Sequence, residues 1–402
     1  MKRIGNIWHN VVDVENGVQS VIDGTRYKRY QLEVQKFLFT DDEVKNNPSL
    51  WHMVDKEKAR KYSAKLCKSL DDGTWKHKEP KHRRRFCRNR ASSKGKWRDL
   101  YVPSLDDHIV GHMVMSASMD AFTKGMHQNC CGSVPGRGIK HVNKSVKKWF
   151  IHDKECRYFV KLDIRHFFDN IDSEILFSVL RSKIKDERVL DVFRQIINSA
   201  PTPCPVGYYT SPWLANLYLE ELDWYAEQSL FKERRGKRIK YVRHYLRYVD
   251  DILLVGTSKS DLEKAVRAIQ KWLFENRRLK VKPEWEIKAI GKHVIEDGQR
   301  KMKNGTYWCD IGGYKFCKDS TILRDGIYLS SKRLAKKMHK QKYYTYHQSA
   351  SINSRIGWAR HCDSKNFIRK DIEPYVNIST ARRIVSDVDK IRKRLPGATA
   401  KH

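Results

Sequence analysis

The alternation of apolar and polar residues divides the chain into short strands and longer amphipathic helices. Residues 158–164 (YFVKLDI) form an apolar run typical of a buried strand. Residues 244–256 (HYLRYVDDILLVG) predict a hairpin with a tight Asp-Asp turn, and residues 258–277 carry apolar positions at helical spacing. Residues 207–230 pass from a loop into another helix, and residues 330–402 are typical of basic helices. This order predicts an α+β fold around an antiparallel sheet.

Serine and aspartate residues mark the predicted helix starts. Asp172 or Ser173 is expected to cap the helix after the first apolar strand, and Ser258 or Ser260 the helix after the hairpin. Residues 100–126 predict a short strand, a turn and a long amphipathic helix. Strands and helices therefore alternate along the chain, in agreement with an α+β fold.

The charge of the chain narrows the range of partners. Its 402 residues include 81 Lys and Arg against 47 Asp and Glu, a formal net charge of +34. Such a surface repels itself unless a polyanion neutralises it, and nucleic acid does so with release of counterions. An anionic membrane is the alternative, but the sequence has no apolar run that could span a bilayer and no lipidation signal. The basic first residues lack the apolar stretch of a secretory signal, so we expect a cytoplasmic protein without a membrane partner.

Size and cysteine content set two further limits. A chain of 402 residues has room for two or three domains. Its nine Cys lack the paired spacing of a zinc site, so we expect reduced and mostly buried thiols.

Three carboxylates lie where apolar strands would bury them. Asp163 is in the middle of an apolar strand, and Asp250 and Asp251 are at the tip of an apolar hairpin. A buried carboxylate needs a cation or a donor, and adjacent aspartates repel each other, so a divalent ion satisfies both requirements. The alternative is that Asp250 and Asp251 are an ordinary turn pair, since Asp is common in turns.

The number of carboxylates suits nucleotide addition. In that reaction a 3′-hydroxyl attacks an α-phosphate, while one metal activates the hydroxyl and the other holds the triphosphate and the departing pyrophosphate. The two ions lie about 4 Å apart, so the carboxylates must be shared between them. Mg²⁺ suits such a site, with Mn²⁺ as a substitute, because it takes few protein ligands. The strand with Asp163 must then lie beside the hairpin.

Several segments resemble motifs of reverse transcriptases, in the same order. YVDD (248–251) resembles the YxDD box, and KLDIRHFFDNID (161–172) is similar to the first metal-binding segment. GYYTSPWLANLYLEELD (207–223) is similar to the intervening box of bacterial members. The resemblance includes two segments similar to fingers motifs of retroelements related to group II introns, RDLYVPSLDDHIVGH and CGSVPGRGIKHV. It also includes two segments similar to the region after the palm, EIKAIGKHV and CDIGGYKF. Together these segments cover roughly residues 95–320. SINSRIGWARHCDSKNF (351–367) resembles the thumb of diversity-generating and related prokaryotic enzymes.

The resemblance implies a right-hand polymerase with fingers, a palm built on an antiparallel sheet with packed helices, and a helical thumb. Residues 1–94 would form an N-terminal extension and the start of the fingers, and residues 95–155 the rest of the fingers. The palm would span residues 156–320, interleaved with the fingers around 180–210. Residues 321–402 would form the basic thumb.

The family pattern also implies roles for the residues around the carboxylates. Asp163 and Asp250 would bind both metal ions, Asp251 would support them, and the carbonyl of Ile164 would add a ligand. Phe168 would be the steric gate, an aromatic ring that leaves no room for a 2′-hydroxyl and so selects deoxynucleotides. The alternative for Phe168 is an ordinary core residue.

Basic residues are implied at the incoming nucleotide. Arg98, with Lys94 and Lys96, would neutralise the triphosphate, and Lys282 would lie near the pyrophosphate. The first three belong to a basic stretch, residues 77–98, which is interpreted as a strand-turn-strand that grips template or triphosphate. The alternative is a solvated or disordered loop.

The box around Gly207 departs from the common pattern. Many relatives have Gln before this glycine, whereas this chain has Val206. Diversity-generating enzymes also have an apolar residue there but follow the serine with Gln, and this chain has Ser211-Pro212. Val206 and Gly207 are expected beside the nucleotide, and loss of a polar contact there suggests reduced fidelity.

Contacts to primer and template follow from the same resemblance. Tyr248 would pack near the primer end, and the region of Gly313 would grip the primer. The thumb helix with Lys336 and Lys337 would follow the template–primer backbone, although a solvated basic face explains it equally well. Ser211 is expected near the same nucleic acid.

The implied activity is RNA-directed DNA synthesis on a dedicated noncoding RNA. No RNase H, integrase or endonuclease segment is recognised, which disfavours a mobile intron enzyme. Among the other relatives, antiphage defence is favoured, diversity generation comes second, and the retron pattern matches least. The partners would be a noncoding RNA template, a DNA or RNA primer, the cDNA product and dNTPs, with an accessory protein or a second copy of the chain as further candidates.

Residues of the predicted active site argue against two other activities. A catalytically idle RNA-binding scaffold would have no reason to retain Asp163, Asp250 and Asp251. An RNA-making polymerase would be expected to have a small residue in place of Phe168.

Overall fold

The computed structural model describes residues 3–26, 28, 31–46, 53–88, 95–296 and 299–394. The helices are α1 (Trp8–Val11), α2 (Val14–Thr25), α3 (Leu32–Gln35), α4 (Asp41–Asn46), α5 (Lys56–Asp71), α6 (Leu105–Ala117), α7 (Met119–Thr123), α8 (Ile139–His152), α9 (Ser173–Lys183), α10 (Glu187–Asn198), α11 (Ser211–Tyr218), α12 (Glu220–Gln228), α13 (Lys259–Arg277), α14 (Asp325–His339), α15 (Tyr346–Arg360), α16 (Lys365–Phe367) and α17 (Ile378–Arg394). The strands are β1 (Lys81–Arg88), β2 (Gly95–Val102), β3 (Tyr158–Asp163), β4 (Phe231–Arg234), β5 (Lys237–Lys240), β6 (His244–Tyr248), β7 (Asp251–Gly256), β8 (Lys288–Ala289), β9 (His293–Glu296), β10 (Gln299–Met302), β11 (Cys309–Ile311), β12 (Tyr314–Phe316) and β13 (Thr321–Leu323).

A four-stranded antiparallel sheet lies at the centre, in the order β6-β7-β3-β8. Strand β7 pairs with β6 at one edge and with β3 at the other, and packed side chains cover both of its faces. A strand in that position needs apolar residues without alternation, which accounts for the run ILLV in its sequence. The predicted α+β fold around an antiparallel sheet is confirmed.

The two faces of this sheet contribute to two different cores. Ile252 and Leu254 of β7 belong to a core shared with α6, α9, α10, α11 and α13. Leu253 and Val255, which point to the opposite face, belong to a core with α8, the small sheet β11-β12-β13 and the C-terminal helices. The sheet is therefore covered by helices on both faces, and its side chains hold the N-terminal and C-terminal parts of the chain together.

Two of the predicted caps are present. The Asp172 side chain accepts hydrogen bonds from the backbone N–H groups of Glu174 and Ile175 at the start of α9. The Ser258 side chain accepts one from the N–H of Asp261 at the start of α13. Each satisfies donors that the first helical turn leaves without a partner.

The peripheral elements are hairpins and short helices. β1 pairs with β2 over eight residues, which is the predicted strand-turn-strand of the basic stretch. All nine Cys are free thiols and all but Cys87 are buried, as expected. Within the part of the chain that the structure describes, each helix is too short or too polar to cross a membrane.

Candidate active site

The two distant acidic segments lie side by side in the structure. Asp163 is the last residue of β3, and it faces Asp251, the first residue of β7, across an antiparallel pair. Asp251 also pairs with Tyr248, which leaves Val249 and Asp250 as a two-residue turn. Val249 has a φ of +60°, a conformation that a β-branched side chain rarely adopts and that the surroundings must hold in place.

Burial and mutual repulsion make these carboxylates a suitable place for a cation. Burial, with Asp251 close by, raises the pKa of Asp250 to about 6, and burial also raises the pKa of Asp251. Lys282 Nζ lies 2.9 Å from Asp163 Oδ1, and its backbone N–H donates to the Asp163 carbonyl oxygen at 2.8 Å. The three carboxylates repel one another in a partly buried site, and their hard oxygen donors fit a divalent cation.

The predicted metal ligand Ile164 and the predicted steric gate Phe168 both follow β3, and they differ in burial. Ile164 is buried, directly after Asp163. Phe168 is half-buried in a short turn, Phe168–Asn170, and its ring packs against the buried Phe167 at 5.3 Å between centroids. The structure therefore leaves part of the Phe168 ring accessible, close in the chain to the carboxylates.

The hairpin β1–β2 carries the other predicted nucleotide residues. Arg98 lies on β2 opposite Arg85, and its side chain is exposed. Lys94 lies outside the described residues, as does the side chain of Lys96.

The loop before α11 is attached to this hairpin. The backbone N–H of Tyr101 on β2 donates to the carbonyl of Val206 at 2.9 Å. Gly207 has a φ of +124°, and a Cβ added there would lie 2.3 Å from the Tyr101 carbonyl oxygen, so only glycine fits. Val206 and Gly207 thus lie at the base of the hairpin that carries Arg98.

The residues predicted to contact primer and template are spread over both cores. Ser211 is buried, and its hydroxyl donates to the carbonyl of Pro205 at 2.7 Å. Its role in the structure is therefore to hold the loop, whereas Tyr248 is half-buried opposite Asp251 and beside the carboxylates.

The remaining predicted contacts belong to the C-terminal part. Gly313, with a φ of +86°, is in the turn between β11 and β12, where a Cβ would lie 2.5 Å from the Trp358 ring. Lys336 and Lys337 are exposed on α14, and Lys336 Nζ lies 5.7 Å from the centre of the Tyr375 ring.

Comparison with known proteins identifies the family of the chain. Residues 79–285, just over half of the chain, match the family described as "Reverse transcriptase (RNA-dependent DNA polymerase)". The chain belongs to the reverse transcriptase family. It is an RNA-directed DNA polymerase of the prokaryotic retroelement type with the right-hand fold, as predicted. Enzymes of this family use divalent metals and bind an RNA template, whereas the domain boundaries stay a prediction.

Individual relatives of this reverse transcriptase are distant. The Retron Ec73 reverse transcriptase of Escherichia coli is 24% identical, over 75% of this chain and 87% of its own length. The Group II intron-encoded protein LtrA of Lactococcus lactis subsp. cremoris is 26% identical, over 54% of this chain but only 37% of its own length. A solved structure of apo telomerase from Candida tropicalis aligns over 96% of this chain and 78% of its own, with 10% identity and a TM-score of 0.45, too distant to support a functional argument. The expectation that retron enzymes match least finds no support in these similarities.

A buried ion pair behind the YVDD turn of this reverse transcriptase escaped the sequence analysis. Arg247 and Asp223 are fully buried and bonded through two nitrogens, Nε to Oδ1 at 2.6 Å and Nη2 to Oδ2 at 2.7 Å. Arg247 Nη1 donates to the carbonyl of Val249 at 2.9 Å and to Asn216 Oδ1 at 3.1 Å. Tyr245 donates its hydroxyl to Asp223 at 2.6 Å. The network joins α12, α11 and the strained turn, and so fixes the position of the carboxylates.

Two cations near Asp251 were also missed. Lys161 and Arg324 both oppose the rise in the pKa of Asp251 through their charge. Lys161 lies two residues before Asp163 on β3, so both side chains project from the same face of the strand. This spacing could have indicated Lys161 from the sequence. Arg324 precedes α14 and binds Asp310. Its place near Asp251 could not be predicted from the sequence, because it depends on how the C-terminal helices pack.

Proposed function

We propose that this reverse transcriptase copies a dedicated noncoding RNA into cDNA with two Mg²⁺ ions, in bacterial antiphage defence. The observation that carries the catalytic part is the pairing of Asp163 with Asp251 across two strands, with Asp250 in the adjoining turn. Asp163 and Asp250 would hold both ions, the Ile164 carbonyl would add a ligand, and Asp251 would support them. When bound, the ions would activate the 3′-hydroxyl of the primer and stabilise the charge of the departing pyrophosphate, with Mn²⁺ as a substitute.

The residues of the chain would supply the remaining electrostatics. Lys282 Nζ lies 2.9 Å from Asp163 Oδ1, and it would turn toward the triphosphate when the carboxylate binds metal. Arg98, with Lys94 and Lys96, would neutralise the triphosphate from the fingers hairpin. A triphosphate carries enough negative charge to need several such cations.

Selection of the nucleotide would rest on Phe168 and on the loop at Gly207. The accessible part of the Phe168 ring would exclude a 2′-hydroxyl. Gly207 would allow the backbone to approach the nascent base pair closely, since its conformation and the contact with Tyr101 leave no space for a side chain. Val206 would border the same base pair.

The template and primer would lie between the palm and the thumb. Tyr248 would pack near the primer end, and the turn with Gly313 would position the primer through its contact with Trp358. Lys336 and Lys337 would contact phosphates along α14. Ser211 would act through the loop that it holds, rather than by touching nucleic acid.

One experiment tests the proposed substrate. The full chain is purified from a bacterial host with its native genomic neighbourhood, and the bound RNA and DNA are sequenced in wild type and in Asp250→Ala. The proposal expects one enriched noncoding RNA in both, and complementary cDNA only in wild type. A host-wide mixture of RNA, or cDNA in Asp250→Ala as well, would contradict it. Loss of phage protection by the same variant tests the defence role.

A second candidate function is error-prone synthesis for diversity generation. The apolar Val206, in place of the Gln of many relatives, favours it. Replacement by Gln, the residue of many relatives, should lower the error rate of copying if the missing polar contact matters. Unchanged error rates in Val206→Gln would remove this argument. A catalytically idle RNA-binding scaffold would make no cDNA, and Asp250→Ala would not reduce its binding of RNA.

A further inference from the structure

A basic cavity lies at the end of the central sheet remote from the carboxylates. Its volume is about 420 Å³, and it is lined by α8, α12 and the first residues of the edge strand β6. His244 at this end pairs with Val255, whereas Asp251 pairs with Tyr248. Four residues of strand separate the two positions, or about 13 Å at 3.3 Å per residue. The cavity therefore lies apart from the three aspartates.

Cations outnumber carboxylates around this cavity. Lys144 and Lys148, one helical turn apart on α8, and Lys240, at the end of β5, line it with exposed side chains. Among the residues that the structure describes, none of these three lysines has a carboxylate within 4.0 Å. Asp153 is occupied by neighbouring groups: Arg243 Nε lies 3.0 Å and His244 Nε2 2.8 Å from its Oδ2.

One of the residues that line the cavity is itself a carboxylate, and it too is occupied. Glu227 on α12 bonds to the buried His127 ring. The Trp149 ring lies on the cavity wall, stacked on His244 with 4.5 Å between centroids and an angle of 3° between the planes. The wall is therefore rigid and aromatic at its base and carries unpaired ammonium groups at its rim.

The basic surface continues beyond the rim. The hairpin β4–β5 leads directly into the cavity through Lys240, and its turn carries Arg234, Arg235 and Lys237 with exposed side chains. Flexible ammonium groups at such spacings suit a row of phosphates better than a single small anion, because each phosphate contact releases counterions. An acidic protein segment is the rival occupant of such a surface.

We propose that this cavity binds the phosphate backbone of a structured RNA, as an anchor separate from the cleft that copies the template. The proposal rests on the proposed function, since it assigns the folded part of the noncoding RNA to this surface. Double-stranded RNA is recognised mainly through its backbone, which needs no base-specific contacts in the cavity. Anchoring of the folded part here would raise the effective concentration of the template segment in the cleft.

The test compares two charge-reversal variants of the full chain, freed of bound nucleic acid. The cavity variant is Lys144→Glu, Lys148→Glu and Lys240→Glu, and a Lys→Gln version of it guards against misfolding. The probe is a fluorescent 20-base-pair RNA hairpin, titrated at several salt concentrations. Because three ammonium groups no longer neutralise phosphates, the slope of log K against log salt should decrease by about 2–3, and affinity at low salt should fall at least tenfold.

The matched control changes the net charge equally at a different place. Lys61, Lys65 and Lys68 are exposed on α5, and their replacement by Glu should leave the salt slope of hairpin binding near the wild-type value. Extension of oligo(dT) on poly(rA) at saturating template–primer should stay within about twofold of wild type in both variants, because neither set lies in the cleft.

The outcomes separate the anchor from the catalytic proposal. Equal losses of affinity in the cavity variant and the control, or extension that falls in parallel with hairpin binding, would overturn the anchor. So would a cavity variant that binds the hairpin normally but no longer binds poly-glutamate, which would indicate an acidic protein partner. A wild-type protein that binds the hairpin through the cavity but extends no primer supports the anchor and refutes the proposed synthesis.

Discussion

The buried pair Arg247–Asp223 allows stability and activity to be separated. Asp223→Leu leaves a fully buried guanidinium without its carboxylate, which is expected to reduce the free energy of unfolding by about 3–5 kcal/mol. Adding Arg247→Met replaces the pair by apolar side chains of similar volume, and most of that loss should be recovered. Tyr245 loses one hydrogen bond and Asn216 loses two, so we expect the double variant to stay below wild type by about 1–2 kcal/mol.

Activity should not recover with stability. In the double variant the hydrogen bond from Arg247 to the Val249 carbonyl, 2.9 Å in the native structure, is absent. A hydrogen bond from a charged donor contributes about 1.5–3 kcal/mol. The positive φ of Val249 costs a further 1–3 kcal/mol, roughly, which the turn would release by relaxing. Asp250 and Asp251 then move, and kcat should fall on the order of 10- to 100-fold.

The assay combines urea unfolding with primer extension on poly(rA)·oligo(dT) in wild type, both single variants and the double variant. A control pair is Lys232→Met with Asp261→Leu, because Lys232 Nζ binds Asp261 at 2.6 Å in a partly buried pair away from the turn. That pair should alter stability but leave kcat near wild type. A double variant at the active site with wild-type kcat, or one no more stable than Asp223→Leu, would refute the reasoning.

The remaining predictions concern nucleotide selection, a glycine and two buried histidines. Phe168→Ala should increase ribonucleotide incorporation relative to deoxynucleotides by about 10- to 100-fold, measured by single-nucleotide extension, and unchanged selection would exclude a gate there. Gly207→Ala places a Cβ 2.3 Å from the Tyr101 carbonyl oxygen, so the loop must shift and the KM for dNTPs should rise at least tenfold. The control is Gly5→Ala, at an exposed glycine without a positive φ, which should leave this KM unchanged. Burial lowers the pKa of His108 to about 3 and that of His112 to about 4, so the unfolded chain binds protons first as pH falls below 6.5. Stability should therefore be complete above that pH and fall by on the order of 2 kcal/mol per ring by pH 5, and a flat urea-unfolding profile would contradict this.

Much of the catalytic geometry could be predicted from local sequence. The run around Asp163 and the hairpin around Asp250 are apolar enough to require burial, and carboxylates inside them favour a shared cation. This chemistry left an ordinary turn pair as the alternative, and the order of the segments that resemble reverse transcriptase motifs decided between the two. The helix starts at Asp172 and Ser258 were equally local, because a cap depends on residues within one turn.

The supporting contacts could not be predicted in that way. Arg247 precedes the YVDD turn in a strand of alternating character, where a basic residue suggests a solvent-facing position. Its burial depends on Asp223, which is 24 residues earlier on α12, and on the packing of that helix behind the edge strand. The attachment of Val206 to Tyr101 and the contact of Gly313 with Trp358 likewise join segments distant in sequence, and one sequence carries no signal for such pairs.

The most direct test of the central claim is single-turnover primer extension as a function of Mg²⁺ concentration in wild type, Asp163→Asn and Asp250→Asn. Each substitution removes one of the carboxylates that β3 and the turn bring together, so we predict a loss of at least about 10³-fold at every Mg²⁺ concentration. The free energy of unfolding should stay within about 1 kcal/mol of wild type or increase, because removal of like charges offsets the loss of the half-exposed pair between Asp163 and Lys282. Extension within tenfold of wild type by either folded variant would contradict the account.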